Sequence, residues 1–364
     1  MKKNIRLKLL ISMKKILVGI CGIGNGHINR QICVIEQLLK YDVMVVVATT
    51  EDKKKIINRK FSKIPVILVT IPWITCDDNG LDYKDCLIKY RNNNIDQYEK
   101  FFEFCLSIER IFKSKPDLII SDYEPNVAQY AYASMVPLLC MEQQSKFIYL
   151  DEINIKGASI KEEVYRLNYF FPKYDKRIIS SFFPIFVNNE KVTIVSPIIP
   201  KINSNFKDSK KVVVYFSPYS DSEKYERILN VIKDIKNYTF NVYTINNYKK
   251  FEKYENINIH SFSDKFQDDL SSCSFLLSTG GHQLLSEALS LDIPIYVFPL
   301  ETYEQKYNAL MVEKYNLGFV AKDFSCDEIN NFLSRYDEFH NNIICFKNKY
   351  YNQNWEDELK KLFD

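Results

Sequence analysis

Two glycine-rich turns, each carrying a histidine, concentrate the residues of this chain that can do chemistry. The first reads Gly22-Ile23-Gly24-Asn25-Gly26-His27 and lies between an apolar run, Lys15–Cys21, and an amphipathic segment, Ile28–Leu39. Glycine between a strand and a helix lets the backbone turn sharply and lets a ligand approach it closely. A histidine at the start of that helix suits a general base, because imidazole takes up a proton near neutral pH. Two other readings stay open: a plain tight turn with a structural histidine, and a dinucleotide fingerprint. The fingerprint wants Gly or Ala where His27 stands, and Glu51 or Asp52 would be its ribose-binding acid. A base histidine works best with a carboxylate that holds its tautomer and stabilises the imidazolium. Asp122, in Ser121-Asp122-Tyr123-Glu124-Pro125, ends a later strand of the same half. Carboxyl ends of adjacent parallel strands converge on one edge, so Asp122 can reach His27. It fits equally well as an N-cap for the helix that follows. Glu124 is a weaker candidate for the same role beside the histidine.

The second turn, Ser278-Thr279-Gly280-Gly281-His282, follows the apolar strand Phe275–Ser278 and opens a helix. A helix N-terminus offers free N–H groups and the positive end of a dipole, which suits a diphosphate. His282 or Gln283 can add a side-chain donor. Glu287, five residues beyond His282, can accept hydrogen bonds from two ribose hydroxyls, or it is a solvated helix acid. Glu304 and Gln305 follow the strand Ile295–Phe298 and can bind sugar hydroxyls, or they cap a helix.

Apolar runs alternate with amphipathic stretches along the chain. Lys15–Cys21, Val43–Thr49, Val66–Ile71, Pro116–Asp122 and Val136–Met141 read as strands, with helices at Ile28–Leu39, Tyr83–Phe112 and Pro125–Ser134. The pattern restarts after a linker, Ser196–Lys210, with strands at Lys211–Phe216, Phe240–Ile245, Ile257–Phe262, Phe275–Ser278, Ile295–Phe298 and Leu317–Ala321. This predicts an α/β fold of two parallel-sheet halves with a ligand cleft between their carboxyl edges. The expected division is an extension at 1–12, a first domain at 13–200, a second at 201–340, and a returning C-terminal helix at 341–364. Hydrophobic residues at 46% exclude a disordered chain. With 49 basic and 46 acidic residues the chain has no electrostatic case for nucleic acid as a partner. Only 9 glycines are present, which makes their clustering informative. The 9 cysteines include no CxxC pair and point to free thiols in the cytosol, with no zinc site. Apolar runs such as Val43–Ala48 and Leu291–Leu300 fall far short of a membrane span, and the N-terminus lacks a signal-peptide core.

Taken in order, Gly26-His27-Ile28-Asn29, Ser121-Asp122, Gly280-Gly281 through Glu287-Ala288-Leu289, and Glu304-Gln305-Lys306-Tyr307-Asn308-Ala309 resemble the GT-B glycosyltransferases. The likeness is to the UDP-glycosyltransferases and to the family 28 enzymes that include the lipid II-forming N-acetylglucosaminyltransferase. It implies two Rossmann-like domains facing each other across a cleft. It implies inverting transfer from a nucleotide sugar, UDP-linked first of all, to a hydroxyl acceptor, with no metal and no cofactor. His27 would be the base and Asp122 its partner. Gly24, Gly26, Ser217, Thr279, Gly280, Gly281, His282 and Gln283 would line the donor, with Phe262 or Phe266 near the nucleobase. Glu287 would take the ribose, and Glu304 and Gln305 the sugar. A helix from about Asp327 to Phe363 would cross back to the first domain. Two departures stand out: Arg30 where many relatives have Pro, and Thr279 where plant-type enzymes have a phosphate-binding histidine, with His282 shifted three residues along. The acid pairs Asp77-Asp78 and Asp268-Asp269 read as loop and surface acids.

Other functions on this plan are a nucleotide-sugar epimerase, a non-catalytic nucleotide-sugar-binding subunit and, more remotely, a nicotinamide oxidoreductase. In the acceptor half, Phe101, Phe102, Phe104, Tyr169, Phe170, Phe171, Phe182 and Phe183 read first as core. A second reading joins them with Lys161, Arg166, Lys173, Lys176 and Arg177 as a peripheral contact on the inner face of the cell membrane.

Overall fold

The computed structural model describes residues 13–69, 75–77, 80–82, 88, 96–151, 153–155, 159–201, 208–218, 222–263 and 265–363. The expected extension 1–12, much of the expected helix from Tyr83, Asp78 and most of the linker after Lys201 lie outside the described residues.

In the first half the elements run β1 (Lys14–Ile20), α1 (Gly26–Leu38), β2 (Val43–Thr49), α2 (Glu51–Lys60) and β3 (Val66–Leu68). A short antiparallel pair, β4 (Thr75–Asp77) and β5 (Gly80–Asp82), stands apart from the main sheet. Then come α3 (Gln97–Phe112), β6 (Leu118–Asp122), α4 (Pro125–Ser134), β7 (Leu138–Glu142), a 3-10 turn (Gln144–Ile148), α5 (Ile160–Phe170), β8 (Lys176–Ser180) and β9 (Val192–Val195). Seven of these strands form one parallel sheet in the order β3-β2-β1-β6-β7-β8-β9. A strand buried on both faces reads as a near-continuous apolar run, as β1 and β2 do.

The second half holds β10 (Lys211–Tyr215), α6 (Ser222–Ile232), β11 (Thr239–Tyr243), β12 (Ile257–His260), α7 (Lys265–Ser272), β13 (Phe275–Ser278), α8 (His282–Ser290), β14 (Ile295–Val297), α9 (Tyr303–Lys314) and β15 (Gly318–Val320). Its six strands are also parallel, in the order β12-β11-β10-β13-β14-β15.

Strand order reverses between β1 and β6 in one sheet and between β10 and β13 in the other. Ligands of open α/β sheets bind at such switch points. The first glycine turn follows β1, and the second follows β13. Register sets Ile20 opposite Asp122, so the carboxylate emerges beside the turn that carries His27.

Three helices close the chain where one was expected: α10 (Cys326–Ser334), α11 (Tyr336–Tyr350) and α12 (Trp355–Lys360). Ser325 caps α10 and Asn354 caps α12 through their side chains, and the break between α10 and α11 falls at Arg335 without a side-chain cap. The last helix packs on the first sheet. Glu358 pairs with Lys176 at 2.7 Å, and Lys14 Nζ donates to the Leu362 carbonyl at 2.8 Å.

Other expectations need correction. Glu51 and Asp52 lie in the first turn of α2, where they complement the helix dipole, and Asp52 accepts from Thr50 and pairs with Lys53. Asp269 is not a surface acid: it is buried and accepts from Tyr243, Asn241 and Lys211. Phe104, Phe171, Phe182 and Phe183 are core, whereas Phe102 and Tyr169 are exposed. Of the five cations grouped as a basic face, Arg177 is buried with its guanidinium 4.0 Å from the Tyr174 ring centre. Lys176 pairs with Glu358 and Arg166 with Glu163, and Lys161 and Lys173 are exposed.

Candidate active site

A cavity of about 670 Å³ opens between the two halves, within the range of small-molecule sites. Gly24, Gly26 and His27 line it from the first half. Ser217, Phe262, Thr279, Gly281, His282, Gln283, Glu287, Glu304 and Gln305 line it from the second. The sequence-predicted residues are thus brought together, but several hold roles other than those expected.

His27 begins α1 and is 7% exposed, its ring at the cavity. Its Nδ1 lies 2.7 Å from Oδ1 of Asp122, which is fully buried. Asp122 is therefore the partner of the histidine and not a helix cap. The cap of α4 is Glu124, whose carboxylate accepts from the N–H groups of Asn126 and Val127. Tyr123, between the two acids, has φ 53, in the left-handed region that a bulky residue rarely adopts. That twist lets one acid face His27 while the next faces the helix start.

Arg30, marked in the sequence only as a departure, is the main missed residue. It is fully buried and grips Asp122 through Nε–H to Oδ2 and Nη2–H to Oδ1, both 2.8 Å. Gln31 adds a third donor to Asp122 at 2.9 Å. Burial alone would raise the Asp122 carboxyl. The Arg30 charge, then His27, overrides burial and holds it below the ordinary carboxylate range. With Asp122 ionised, Nδ1 of His27 carries the proton it donates, and Nε2 presents a lone pair. The available signal was helical spacing: Arg30 and Gln31 stand three and four residues after His27, on its face of α1.

Across the cleft, Gly280 and Gly281 differ. A Cβ on Gly280 would stand 2.5 Å from the backbone oxygen of Gln305, so packing against α9 requires glycine. A Cβ on Gly281 would meet nothing within 4 Å, and its φ is an ordinary -65. Fold does not explain that glycine; the open space beside it is cavity. Side chains of α9 hold this turn: Gln305 Oε1 accepts from Gly280 N at 2.9 Å, and Asn308 Nδ2 donates to Gly280 O at 2.8 Å. The Gln305 carboxamide oxygen therefore positions the turn and is not left for a sugar.

The side chain of His282 does not serve as a charged phosphate donor. Its ring packs on Phe182, centres 4.7 Å apart, and Nδ1 meets Asn308. Burial, aided by the Lys146 charge, holds its pKa well below the ordinary value, so the ring is neutral. Gln283 is also committed: Nε2 donates to the Ile198 carbonyl and to Glu287, and Oε1 accepts from Arg30 at 3.1 Å. What these residues offer is their backbone N–H groups, which at the start of α8 have no partner within the helix. Glu287 is buried, which raises its carboxyl, and it accepts from Gln267 and Gln283. Glu304 accepts from Gln143 of the first half at 3.1 Å. Tyr215, Phe262 and Phe266 form an aromatic wall, with Tyr215 and Phe262 centres 5.3 Å apart.

An imidazole held by a buried carboxylate thus faces a helix N-terminus across a cleft between two Rossmann-like sheets, as in a GT-B glycosyltransferase. The chain belongs to glycosyl transferase family 1, whose model matches residues 14–337. It is similar to the UDP-N-acetylglucosamine–N-acetylmuramyl-(pentapeptide) pyrophosphoryl-undecaprenol N-acetylglucosamine transferase of Thermosipho melanesiensis, 25% identical over 230 residues. That match covers 59% of this chain and 64% of the relative, so the chain spans less than two thirds of the curated protein it matches. Among solved structures, the calicheamicin glycosyltransferase CalG4 is 13% identical with TM-score 0.68 over 97% of this chain and 98% of that one. Arabidopsis thaliana UGT89C1 with quercetin is 13% identical, TM-score 0.68, over 96% and 98%. Acinetobacter baumannii MurG is 12% identical, TM-score 0.61, over 96% and 98%. At those identities the structures share the fold. Among the described residues no helix is long and apolar enough to cross a membrane.

Proposed function

We propose that this glycosyltransferase moves a sugar from a nucleoside diphosphate, UDP first of all, to a hydroxyl acceptor with inversion and without a metal or other cofactor. The observation that carries the reading is that His27, hydrogen-bonded to Asp122, and the α8 N-terminus line one cavity. His27 Nε2 takes the acceptor proton as the oxygen attacks the anomeric carbon on the face opposite the diphosphate. The N–H groups at Gly281–Gln283 and the helix dipole stabilise the charge that develops on the leaving group. Glu287 receives the ribose hydroxyls, Glu304 the donor sugar, and the Tyr215–Phe262–Phe266 wall the base. Ser217, Gly24 and Gly26 complete the lining. A closed cleft keeps water from the donor.

The exposed face of α3, with Tyr98, Phe102 and Leu106, and that of α5, with Tyr165 and Tyr169, lie in the acceptor half. They support a cytoplasmic protein that touches the inner face of a membrane through aromatic side chains, with Lys161 and Lys173 near anionic headgroups.

The test is a screen of UDP-sugars with glycan and lipid-linked acceptors, following UDP release. The expected product has the inverted anomeric configuration by proton NMR, at a rate unchanged by EDTA. A retained configuration, a loss of rate in EDTA, or an isomerised donor with no acceptor present would refute the proposal.

A further inference from the structure

Beside the base, the acceptor half of the cavity is walled by two consecutive amides. Gln143 and Gln144 follow β7 and are 6% and 7% exposed. Their neighbours force the orientation of each amide. Gln143 Nε2 lies 3.1 Å from a Glu304 carboxylate oxygen, which only accepts. Gln144 Nε2 lies 3.4 Å from His27 Nε2. In the neutral ring with Nδ1–H donating to Asp122, Nε2 carries the lone pair, and the amide turns its NH2 toward it. Each glutamine is left with its carbonyl oxygen directed elsewhere. Among the described residues neither oxygen has a hydrogen-bond partner. A buried acceptor without a donor costs the fold free energy, and native proteins keep few of them outside functional sites.

Resting on the transferase reading above, we infer that Gln144 and Gln143 seat the acceptor, and that the acceptor carries a second hydroxyl beside the one attacked. That makes it a sugar or similar vicinal polyol, not a lone alcohol or a phenol. The 3.4 Å contact between Gln144 and His27 is long and is readily given up to an incoming oxygen. The attacked hydroxyl sits between them: it donates its proton to His27 Nε2 and accepts from the Gln144 NH2. Both carbonyl oxygens are shut from solvent in this structure, so they turn to the cavity on binding and there accept from neighbouring hydroxyls. In the transfer step the acceptor oxygen forms its bond to the anomeric carbon while the bond to the phosphate oxygen breaks. The electron pair of that bond leaves with the diphosphate, and the proton stays on His27. The rest of this wall suits a polyol. Arg166 pairs with Glu163, and Tyr123 donates to Glu163 at 3.2 Å. The Tyr123 ring lies parallel to His27 at 6.1 Å and offers an apolar platform to sugar C–H groups.

Isothermal titration of the whole chain tests this. UDP is titrated first. Methyl glycosides of glucose, galactose, mannose, rhamnose and N-acetylglucosamine follow into the UDP complex, with propan-2-ol and phenol for comparison. Wild type, Gln143→Ala, Gln144→Ala and Gln144→Asn are compared, with a circular dichroism melt showing that each folds. At least one glycoside is expected to bind wild type in preference to propan-2-ol and phenol. Each substitution should weaken it roughly five- to tenfold, with UDP affinity held within twofold. The inference is overturned if no glycoside binds the UDP complex, if phenol or propan-2-ol binds better, or if glycoside affinity survives all three substitutions. Failure of wild type to bind UDP at all refutes the transferase reading itself and removes the ground for this one.

Discussion

Replacing Arg30 with Met keeps the length and most of the volume of the side chain but removes the charge that grips Asp122. Two 2.8 Å bonds to the carboxylate and one 3.1 Å bond to Gln283 are lost at a site with no solvent access. Breaking a buried pair from one side leaves an uncompensated charge and costs about 3–5 kcal/mol. The cost depends on pH, and its sign follows from Asp122. In wild type the folded carboxyl titrates below its unfolded value, so it adds stability that is fully present above about pH 4 and is lost as pH falls through the folded value. Without Arg30, burial dominates and the folded carboxyl rises. The gap between wild type and Arg30→Met should therefore be widest near pH 7 and should narrow toward pH 3.5. Urea unfolding at several pH values, followed by tryptophan fluorescence and circular dichroism, measures it. Arg30→Lys should recover part of the loss, since an ammonium keeps the charge but cannot form the two-pronged contact. A loss below about 1 kcal/mol, or one equal at all pH values, would refute the argument that Arg30 holds the carboxylate ionised.

Lys146 is fully buried with no hydrogen-bond partner on Nζ, and burial lowers its pKa to about 8 despite nearby Glu304 and Glu142. The depressed value means the charged form costs the fold about 3 kcal/mol below pH 8, a cost relieved as pH rises toward 10.5. Lys146→Met should therefore raise the urea midpoint at pH 7, and the gain should shrink by pH 10. An equal gain at both values would contradict this. Gly281→Ala should fold with an unchanged melting temperature yet weaken UDP binding at least tenfold, because the added methyl meets only cavity. Gly280→Ala should lose both stability and UDP affinity, because its Cβ would collide with the Gln305 backbone. Calorimetry of the two variants separates these outcomes, and matched behaviour would argue against the donor site.

The strands that form the cleft edges were legible because a parallel strand buried on both faces is an apolar run, as in Lys15–Cys21 and Phe275–Ser278. The helix Pro125–Ser134 was legible from the proline at its first turn, although the acid that caps it is Glu124 and not Asp122. β8 was missed because Lys176-Arg177 reads as surface, although one cation pairs with Glu358 and the other stacks on Tyr174. α2 was missed because only Lys53 and Ile57 are buried on it, too few to set a period. His27, Asp122 and the glycine turn were found from residue type and position after a strand. Arg30 and Gln144 were not, because what they do depends on contacts 92 and 117 residues away along the chain. The same holds for Gln283 and Gln305, whose amides looked free for a ligand and instead brace the turn and the cleft.

The central claim is that the imidazole of the first half is the base for a donor held by the second. It is tested most directly by measuring UDP affinity and sugar transfer in His27→Ala. The account predicts UDP binding within twofold of wild type and transfer reduced by roughly 10²–10⁴-fold. Turnover near the wild-type rate would contradict it, as would loss of UDP binding in step with loss of transfer.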